Sequence, residues 1–286
     1  MSFEIQKDKI RQIGRELLEK GEVDTVIGYT AGEIEGARIP FIFSKPEDAA
    51  RMEWDARCTQ NLCTYLHGRQ DKVGIVAKPC DARGIVNYLI ENQLDREKVY
   101  IIGVDCAGMT DDQGAPSPGC DECDVRRPPL FDVLVEDPDA AGGLSRDSAT
   151  RASEDLSEKL LRFQNEMKKC ILCYSCRQAC YGCYCPVCFM DRGVPNWQPT
   201  TPDLGAKTVY HLGRAMHLSG RCIECGACER ACASGVNVRY IIKEITDFIN
   251  DTYGYRTGIN TEEEPVMTTY QFDDREIGFL GGDADE

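Results

Sequence analysis

Two short segments share one pattern of cysteines: CILCYSCRQAC at residues 170–180 and CIECGACERAC at residues 222–232. In this spacing, three closely placed thiolates wrap three irons of a 4Fe–4S cluster, and the fourth thiolate reaches the other cluster. The repeat therefore predicts two clusters that exchange their fourth ligands. The first set is Cys170, Cys173, Cys176 and Cys232, and the second is Cys222, Cys225, Cys228 and Cys180. Zinc is the alternative, although zinc sites rarely use this three-plus-one spacing.

Cysteine content and net charge limit the classes of protein that fit. The chain has 286 residues with 17 cysteines and 3 histidines, so thiolate is the main metal ligand on offer. Its 33 Lys and Arg against 48 Asp and Glu give a net charge of −15, which disfavours nucleic acid and anionic lipid as partners. The sequence has no apolar run long enough to span a membrane and no apolar signal segment at its amino terminus. We expect a cytoplasmic protein without direct membrane insertion.

The C-terminal half resembles a bacterial-type dicluster ferredoxin because of these two cysteine segments. The resemblance covers residues 170–250, with a long insertion between the segments. It implies an α+β ferredoxin-like dicluster domain with flanking helices, which we place at residues 154–255. Apolar residues at helical spacing predict helices at 153–169, 207–220 and 238–254. The acidic segment 256–286 is expected to be a tail that is mobile or lies along a partner.

The N-terminal half alternates apolar strand-like runs with helical patterns. Strands are predicted at 23–29, 38–44, 72–78, 99–105 and 132–136, and helices at 6–20, 46–52 and 80–93. This order predicts an α/β domain with a mostly parallel or mixed sheet at residues 1–136. Residues 137–153 are small and polar and contain glycine, which is typical of a linker.

Four cysteines of this half are expected to meet at one edge of the sheet. Cys80 and Cys106 follow two predicted buried strands, and the carboxyl ends of parallel strands share an edge. Cys120 and Cys123 lie in a Gly/Pro-rich loop that can fold over that edge. The four thiolates would suffice for a third 4Fe–4S cluster. In the alternative interpretation, Cys80 and Cys106 are small buried apolar residues, and Cys120 and Cys123 bind zinc.

Three segments strengthen the cluster interpretation: KPCDARGIVNYLIENQ at 78–93, VYIIGVDCAGM at 99–109 and CDECDVRRPPLFDVLVED at 120–137. They resemble the β-subunit family of deazaflavin-reducing hydrogenases and formate dehydrogenases. The resemblance implies that Cys80, Cys106, Cys120 and Cys123 hold a 4Fe–4S cluster. It also implies a flavin, FAD, that exchanges electrons with the deazaflavin coenzyme. No G-x-G-x-x-G loop lies between a strand and a helix, so the flavin rests on the resemblance alone.

A third group of cysteines begins the insertion, in YGCYCPVC at residues 181–188. Cys183, Cys185 and Cys188 predict a further metal site. Three alternatives remain open: a cluster completed by Cys58, Cys63 or a partner chain; a zinc site; or alternative ligands for the second cluster. His67, His211 and His217 are isolated, and Asp81 is interpreted as a first-turn charge of a helix. No set of residues typical of acid–base or nucleophilic catalysis stands out.

These patterns predict an iron–sulfur electron-transfer subunit of an anaerobic oxidoreductase complex. We expect it to relay electrons between a flavoprotein and a dehydrogenase, hydrogenase or heterodisulfide-reductase-like partner, the partner types being implied by the family resemblance. One alternative is a flavin-containing catalytic β-subunit that reduces a soluble coenzyme itself. Another is a zinc-stabilised structural subunit.

Overall fold

A mixed five-stranded sheet forms the centre of the N-terminal half in a computed structural model that describes residues 2–137, 140, 155–193, 201–267 and 269. The strands are β1 (Thr25–Ala31), β2 (Arg38–Phe43), β3 (Val73–Ala77), β4 (Val99–Val104) and β5 (Val133–Val135). Their order is β2-β1-β3-β4-β5, with β2 antiparallel to β1 and all other neighbours parallel. The predicted mixed α/β sheet is confirmed. The apolar run of β3 is buried along its whole length because the strand lies between two neighbours.

Two α-helices accompany the sheet: α1 (Ser2–Glu19), which packs on the strands, and α2 (Pro79–Ile90), which joins β3 to β4. Both were expected from their apolar spacing. The start of α2 is fixed by the Asp81 carboxylate, which accepts a hydrogen bond from the backbone N–H of Lys78 at 2.9 Å. The helix expected at 46–52 is instead a 3-10 segment, Pro46–Arg51, which ends where Met52 has an extended backbone.

Helices form the described part of the C-terminal half. They are α3 (Leu156–Lys169), α4 (Ser175–Gln178), α5 (Leu204–His217), α6 (Ala227–Arg230) and α7 (Val238–Tyr253). Their apolar faces share a second core that includes Met167, Tyr210 and Ile242. The three long helices agree with the sequence pattern. Residues 155–193 and 201–267 contain no β-strand, so the strands of the expected α+β ferredoxin-like domain are not confirmed.

The two halves meet where their backbones approach too closely for side chains. Gly226, in the second cysteine segment, has φ +72, and a Cβ there would lie 1.8 Å from the carbonyl oxygen of Pro118. Gly119 has φ +91, and its Cβ would lie 2.7 Å from the carbonyl oxygen of Glu224. These contacts press the loop that carries Cys120 directly against the segment 222–232. The spacing of the two cysteine-bearing loops across the junction therefore depends on glycine.

Two predicted segments fall largely outside the described residues. Of the linker 137–153, the structure describes only residues 137 and 140, and of the tail 256–286 only residues 256–267 and 269. The domain boundaries therefore stay predictions. Within the described ranges, every helix is too short or too polar to cross a membrane.

We expect Gly226→Ala to destabilise the protein more than Gly235→Ala. Both glycines have positive φ, at +72 and +61, so both alanines incur left-handed backbone strain of about 1–2 kcal/mol. Only the Gly226 position meets a neighbour, whereas a Cβ at Gly235 would have nothing within 4 Å. The overlap with Pro118 should add about 1–3 kcal/mol. Anaerobic thermal unfolding of both variants measures the difference, and equal Tm values would contradict the close contact.

Candidate metal centres

The four N-terminal cysteines line one enclosed cavity. Cys80 lies in the first turn of α2, directly after β3, and Cys106 follows β4. Cys120 and Cys123 come from the loop between β4 and β5 and close the cavity from the other side. The structure therefore brings together the four thiols predicted to hold the third cluster. Since β3 and β4 are parallel neighbours, their carboxyl ends deliver Cys80 and Cys106 to the same edge, as expected.

The charge around this cavity suits a bound anion. Burial raises the pKa of Cys106 to about 12 and that of Cys80 well above its usual value, so these thiols ionise only with a metal or nearby cations. Three arginines that line the cavity have buried nitrogens without a hydrogen-bond partner among the described residues: Nη2 of Arg83, Nε of Arg126 and Nε of Arg256. A thiolate-bound 4Fe–4S cluster is an anion with sulfur acceptors, and the residues fit it.

A buried ion pair supports the wall of this cavity beside Cys80. Lys78 is 2% exposed, and its Nζ lies 2.9 Å from the Asp81 carboxylate. It also hydrogen-bonds the Tyr29 hydroxyl and donates to the carbonyl oxygen of Gln60 at 2.9 Å. Asp81 further accepts from the backbone N–H of Leu62 at 2.7 Å. The oxygens of Asp81 are thus engaged within the protein, which agrees with a structural first-turn charge.

The two cysteine segments fold into the same loop. Leu172 and Tyr174 have left-handed backbones, with φ of 54° and 61°, and the equivalent Glu224 and Gly226 have φ of 60° and 72°. In both loops, a backbone N–H donates to the first cysteine sulfur, from Leu172 to Cys170 at 3.3 Å and from Glu224 to Cys222 at 3.4 Å. Each loop then enters a short helix, α4 or α6. The sequence repeat is therefore also a structural repeat.

The first predicted ligand set is assembled around one small cavity. Its four lining cysteines are Cys170, Cys173, Cys176 and Cys232. Two side chains of α5 contact these sulfurs: His211 Nε2 lies 3.3 Å from Cys170, and the Tyr210 hydroxyl lies 3.5 Å from Cys176. Burial, with the nearby charge of Arg214, lowers the pKa of His211 to about 4, so this histidine is neutral. Cys232 therefore lies with the cysteines of the first segment, although it belongs to the second segment in sequence.

The second predicted set lies between the other two. Burial raises the pKa of Cys228 to about 12, against the charge of Arg214, and the thiolates of Cys180 and Cys225 add to the rise. The charge of Cys180 also raises the pKa of Cys222. The four sulfurs of this set are therefore close enough to affect one another's ionisation. Cys225 in addition lines the N-terminal cavity. The second set therefore lies against the N-terminal set.

Arg214 connects the second set to the first. It lies on the buried face of α5 and is 3% exposed. Its Nη2 donates to the carbonyl oxygen of Cys176 at 3.1 Å, while Nε and Nη1 are buried without a partner in the described chain. Its charge acts on thiols of both sets, among them Cys180 and Cys228. The sequence analysis did not identify Arg214 as part of the site. Its position four residues after Tyr210, on the same face of the predicted helix, was a usable signal.

The remaining cysteines divide into two groups. Cys183, Cys185 and Cys188 line a third cavity. Cys58 and Cys63 are fully buried in the core of the N-terminal half and do not line that cavity, so the structure does not bring them to it as a fourth ligand. Cys58 is held there by hydrogen bonds with the backbone of Asp55 and Glu53.

The spacing of the thiols bears on the choice between zinc and iron–sulfur clusters. In the described ranges, no three His, Cys, Asp or Glu side chains converge closely enough to hold a single metal ion. Structural zinc needs four ligands at about 2.0–2.3 Å from one ion, whereas a cubane holds each thiolate on a different iron. Two cavities, each lined by the four thiols of one set, match the arrangement of the ligands of a cubane.

The α/β sheet and the grouped thiols are consistent with an iron–sulfur subunit of an oxidoreductase, and comparison with known proteins supports that class. No family model matches the chain. It is similar to the F420-dependent formate dehydrogenase subunit beta of Methanocaldococcus jannaschii, with 21% identity over an alignment of 350 positions that covers 88% of this chain and 91% of that protein. The F420-dependent formate dehydrogenase 1 subunit beta of Methanococcus maripaludis is 22% identical, with coverage of 88% and 90%.

A solved structure also matches part of the chain. It belongs to the F420-reducing NiFe hydrogenase complex of Methanosarcina barkeri, with 19% identity and a TM-score of 0.33, and the match covers 38% of this chain and 43% of that one. The two sequence relatives support the resemblance to the β-subunit family of F420-linked enzymes.

We expect Cys232→Ala to perturb the cluster site built by the first segment, because Cys232 lines the cavity of Cys170, Cys173 and Cys176. Electron paramagnetic resonance of the anaerobically reduced protein should show one altered cluster signal. The matched variant Cys180→Ala should alter a different signal, since Cys180 lies with the second segment. Loss of the same signal in both variants would contradict the exchange of ligands.

Proposed function

We propose that this chain is the iron–sulfur electron-transfer subunit of an anaerobic oxidoreductase complex. It relays electrons between a flavoprotein and a dehydrogenase, hydrogenase or heterodisulfide-reductase-like partner. The observation that carries this proposal is that the three thiol sets form a row. The second set reaches the N-terminal cavity through Cys225, and Arg214 links the second set to the first.

The ligands follow from the three sets. A first cluster is held by Cys170, Cys173, Cys176 and Cys232, a second by Cys222, Cys225, Cys228 and Cys180, and a third by Cys80, Cys106, Cys120 and Cys123. When bound, 4Fe–4S clusters supply one-electron transfer at each site. The names of the relatives, which are F420-dependent formate dehydrogenase subunits, support oxidoreductase chemistry of this kind.

The protein's own side chains set the environment of each site. Most thiols of the three sets are buried or partly buried, which limits water at their sulfurs, and N–H donors to sulfur favour the more reduced, more negative state. Arg83 has this role at the N-terminal set, because its Nη2 faces the cavity without a partner in the described chain. Its Nε and Nη1 are fixed by the carbonyl oxygens of Thr257 and Ile223, at 3.0 and 3.1 Å. The guanidinium therefore keeps its position at the junction of the two halves.

The row has one end near the surface. Cys173 is the exposed member of the first set, and its neighbour Ile171 is 63% exposed. An exposed ligand beside an apolar side chain suits electron exchange with a docked partner. We therefore assign this end to a partner subunit, and we place the assembly in the cytoplasm. The first and second sets would belong to the expected dicluster domain at 154–255, and the third set to the α/β domain at 1–136.

The relatives favour a second candidate, in which the chain also holds FAD and reduces a deazaflavin coenzyme itself. Both relatives are named as F420-dependent enzyme subunits. In this case the N-terminal half would carry the flavin next to the third cluster. Flavin content of the purified chain separates the two candidates.

We expect at least about twelve irons per chain with equal acid-labile sulfide, since three cubanes contain four irons each. Cys80→Ser should lower the iron content by about four per chain. Cys58→Ser is the matched control, because a serine can keep the backbone hydrogen bonds of Cys58 in the core. Anaerobic iron, sulfide, zinc and flavin analysis measures all of these quantities. Stoichiometric zinc without sulfide would overturn the proposal, and no change in iron for Cys80→Ser would remove the N-terminal cluster.

A further inference from the structure

The loop after the first cysteine segment builds a cavity of its own. Cys183, Cys185 and Cys188 line this cavity of about 220 Å³, which α5 closes from the other side. The three thiols come from six consecutive residues, and Cys185 is exposed. The cavity is therefore reachable from the surface at Cys185.

Each of the three thiols has an arginine beside it. Arg177 lies within electrostatic range of Cys188, and Arg214 within electrostatic range of Cys183. Arg221 lies within electrostatic range of Cys185. All three guanidinium groups line the same cavity.

Two of these arginines are held in place by acidic partners. Arg177 binds the Asp191 carboxylate at 2.9 Å, and Arg221 binds that of Glu91 at 2.7 Å. Arg214 is different, because its buried Nε and Nη1 have no partner in the described chain. A buried guanidinium with two unused donors requires an acceptor, since an unsatisfied buried donor costs about 1–3 kcal/mol. The cavity thus offers thiolates, positive charge and free N–H groups to an anion that contains acceptor atoms.

The cysteine count decides how many ligands the chain can supply here. Of its 17 cysteines, twelve belong to the three sets of four, and Cys58 and Cys63 are buried in the N-terminal core. That leaves only Cys183, Cys185 and Cys188 for this cavity. Cys183 lies close to Cys180 of the second set, and its backbone N–H donates to the carbonyl oxygen of Cys180 at 3.1 Å.

We propose that Cys183, Cys185 and Cys188 bind a fourth 4Fe–4S cluster whose fourth iron has no cysteine ligand from this chain. The three arginines balance the charge of the thiolates and sulfides, and Arg214 donates its free N–H groups to cluster sulfur. The open iron lies towards the surface side of the cavity, where Cys185 is exposed. The inference rests on the proposed function only in that the protein assembles iron–sulfur clusters.

An iron without a thiolate is the one that oxidation removes first. With ferricyanide as the oxidant, the oxidised cubane, [4Fe–4S] with core charge 2+, would give a [3Fe–4S] core of charge 1+, one Fe²⁺ and one electron accepted by ferricyanide. The product has a characteristic electron paramagnetic resonance signal in the oxidised state. Clusters with four cysteine ligands should resist this loss under the same mild treatment.

The test uses the full chain purified anaerobically, with Cys185→Ser/Cys188→Ser as the variant and Cys58→Ser as the control. We expect about sixteen irons in the wild type and in the control, and about twelve in the double variant. Ferricyanide should produce the 3Fe–4S signal in the wild type and the control but not in the double variant. Added Fe²⁺ with dithiothreitol should reverse it in the wild type, a readout that does not depend on the folding of any variant.

The outcomes separate this proposal from the function proposed above. A wild type with about twelve irons and no 3Fe–4S signal would overturn the fourth cluster and leave the row of three intact. About one zinc lost in the double variant, with iron unchanged, would also overturn it. A wild type with about twelve irons, whose 3Fe–4S signal disappears in the double variant, would keep the fourth cluster and remove the N-terminal one.

Discussion

The cost of placing ionised cysteine thiols inside the protein is the constraint on which the rest of the structure depends. A buried anion costs several kcal/mol unless cations and hydrogen-bond donors accompany it. The protein meets this cost with arginines placed between secondary-structure elements. Arg83 and Arg214 are each 3% exposed, each donates to backbone carbonyl oxygen, and the remaining guanidinium nitrogens are buried without a partner in the described chain. Because Arg83 lies on α2 and Arg214 on α5, both helices place buried residues next to the cysteine loops.

The cysteine loops impose a second constraint, on the backbone. Curling a chain around a cluster requires left-handed residues, which are costly for side chains other than glycine, by about 1–3 kcal/mol each. Leu172, Tyr174 and Glu224 nevertheless adopt this conformation. In this conformation, backbone N–H groups donate hydrogen bonds to cysteine sulfur, which offsets part of the strain. Where the loop also touches the N-terminal half, the side chain itself is excluded, and Gly226 occupies the position equivalent to Tyr174.

Hydrogen bonds and ion pairs across the junction join the two halves. Arg230 of α6 donates to the carbonyl oxygens of Pro118 and Thr59, at 2.9 and 2.8 Å. Arg239 and Lys243 of α7 pair with Glu122, next to Cys123. These bonds hold the loop of the N-terminal set against the second cysteine segment. The distance between neighbouring thiol sets is thereby fixed by contacts within the protein.

The sequence by itself determined the strands, the long helices and the grouping of cysteines, because hydrophobic period and ligand spacing are local properties. The crossing of Cys232 to the first set was also predicted, and the structure places it there. Only the tertiary structure decided the order of the thiol sets, the double role of Cys225 and the placement of Arg214 between two sets. It also put Cys58 and Cys63 in the core, away from the third cavity. These features depend on contacts between residues far apart in the chain, about which local spacing carries no information.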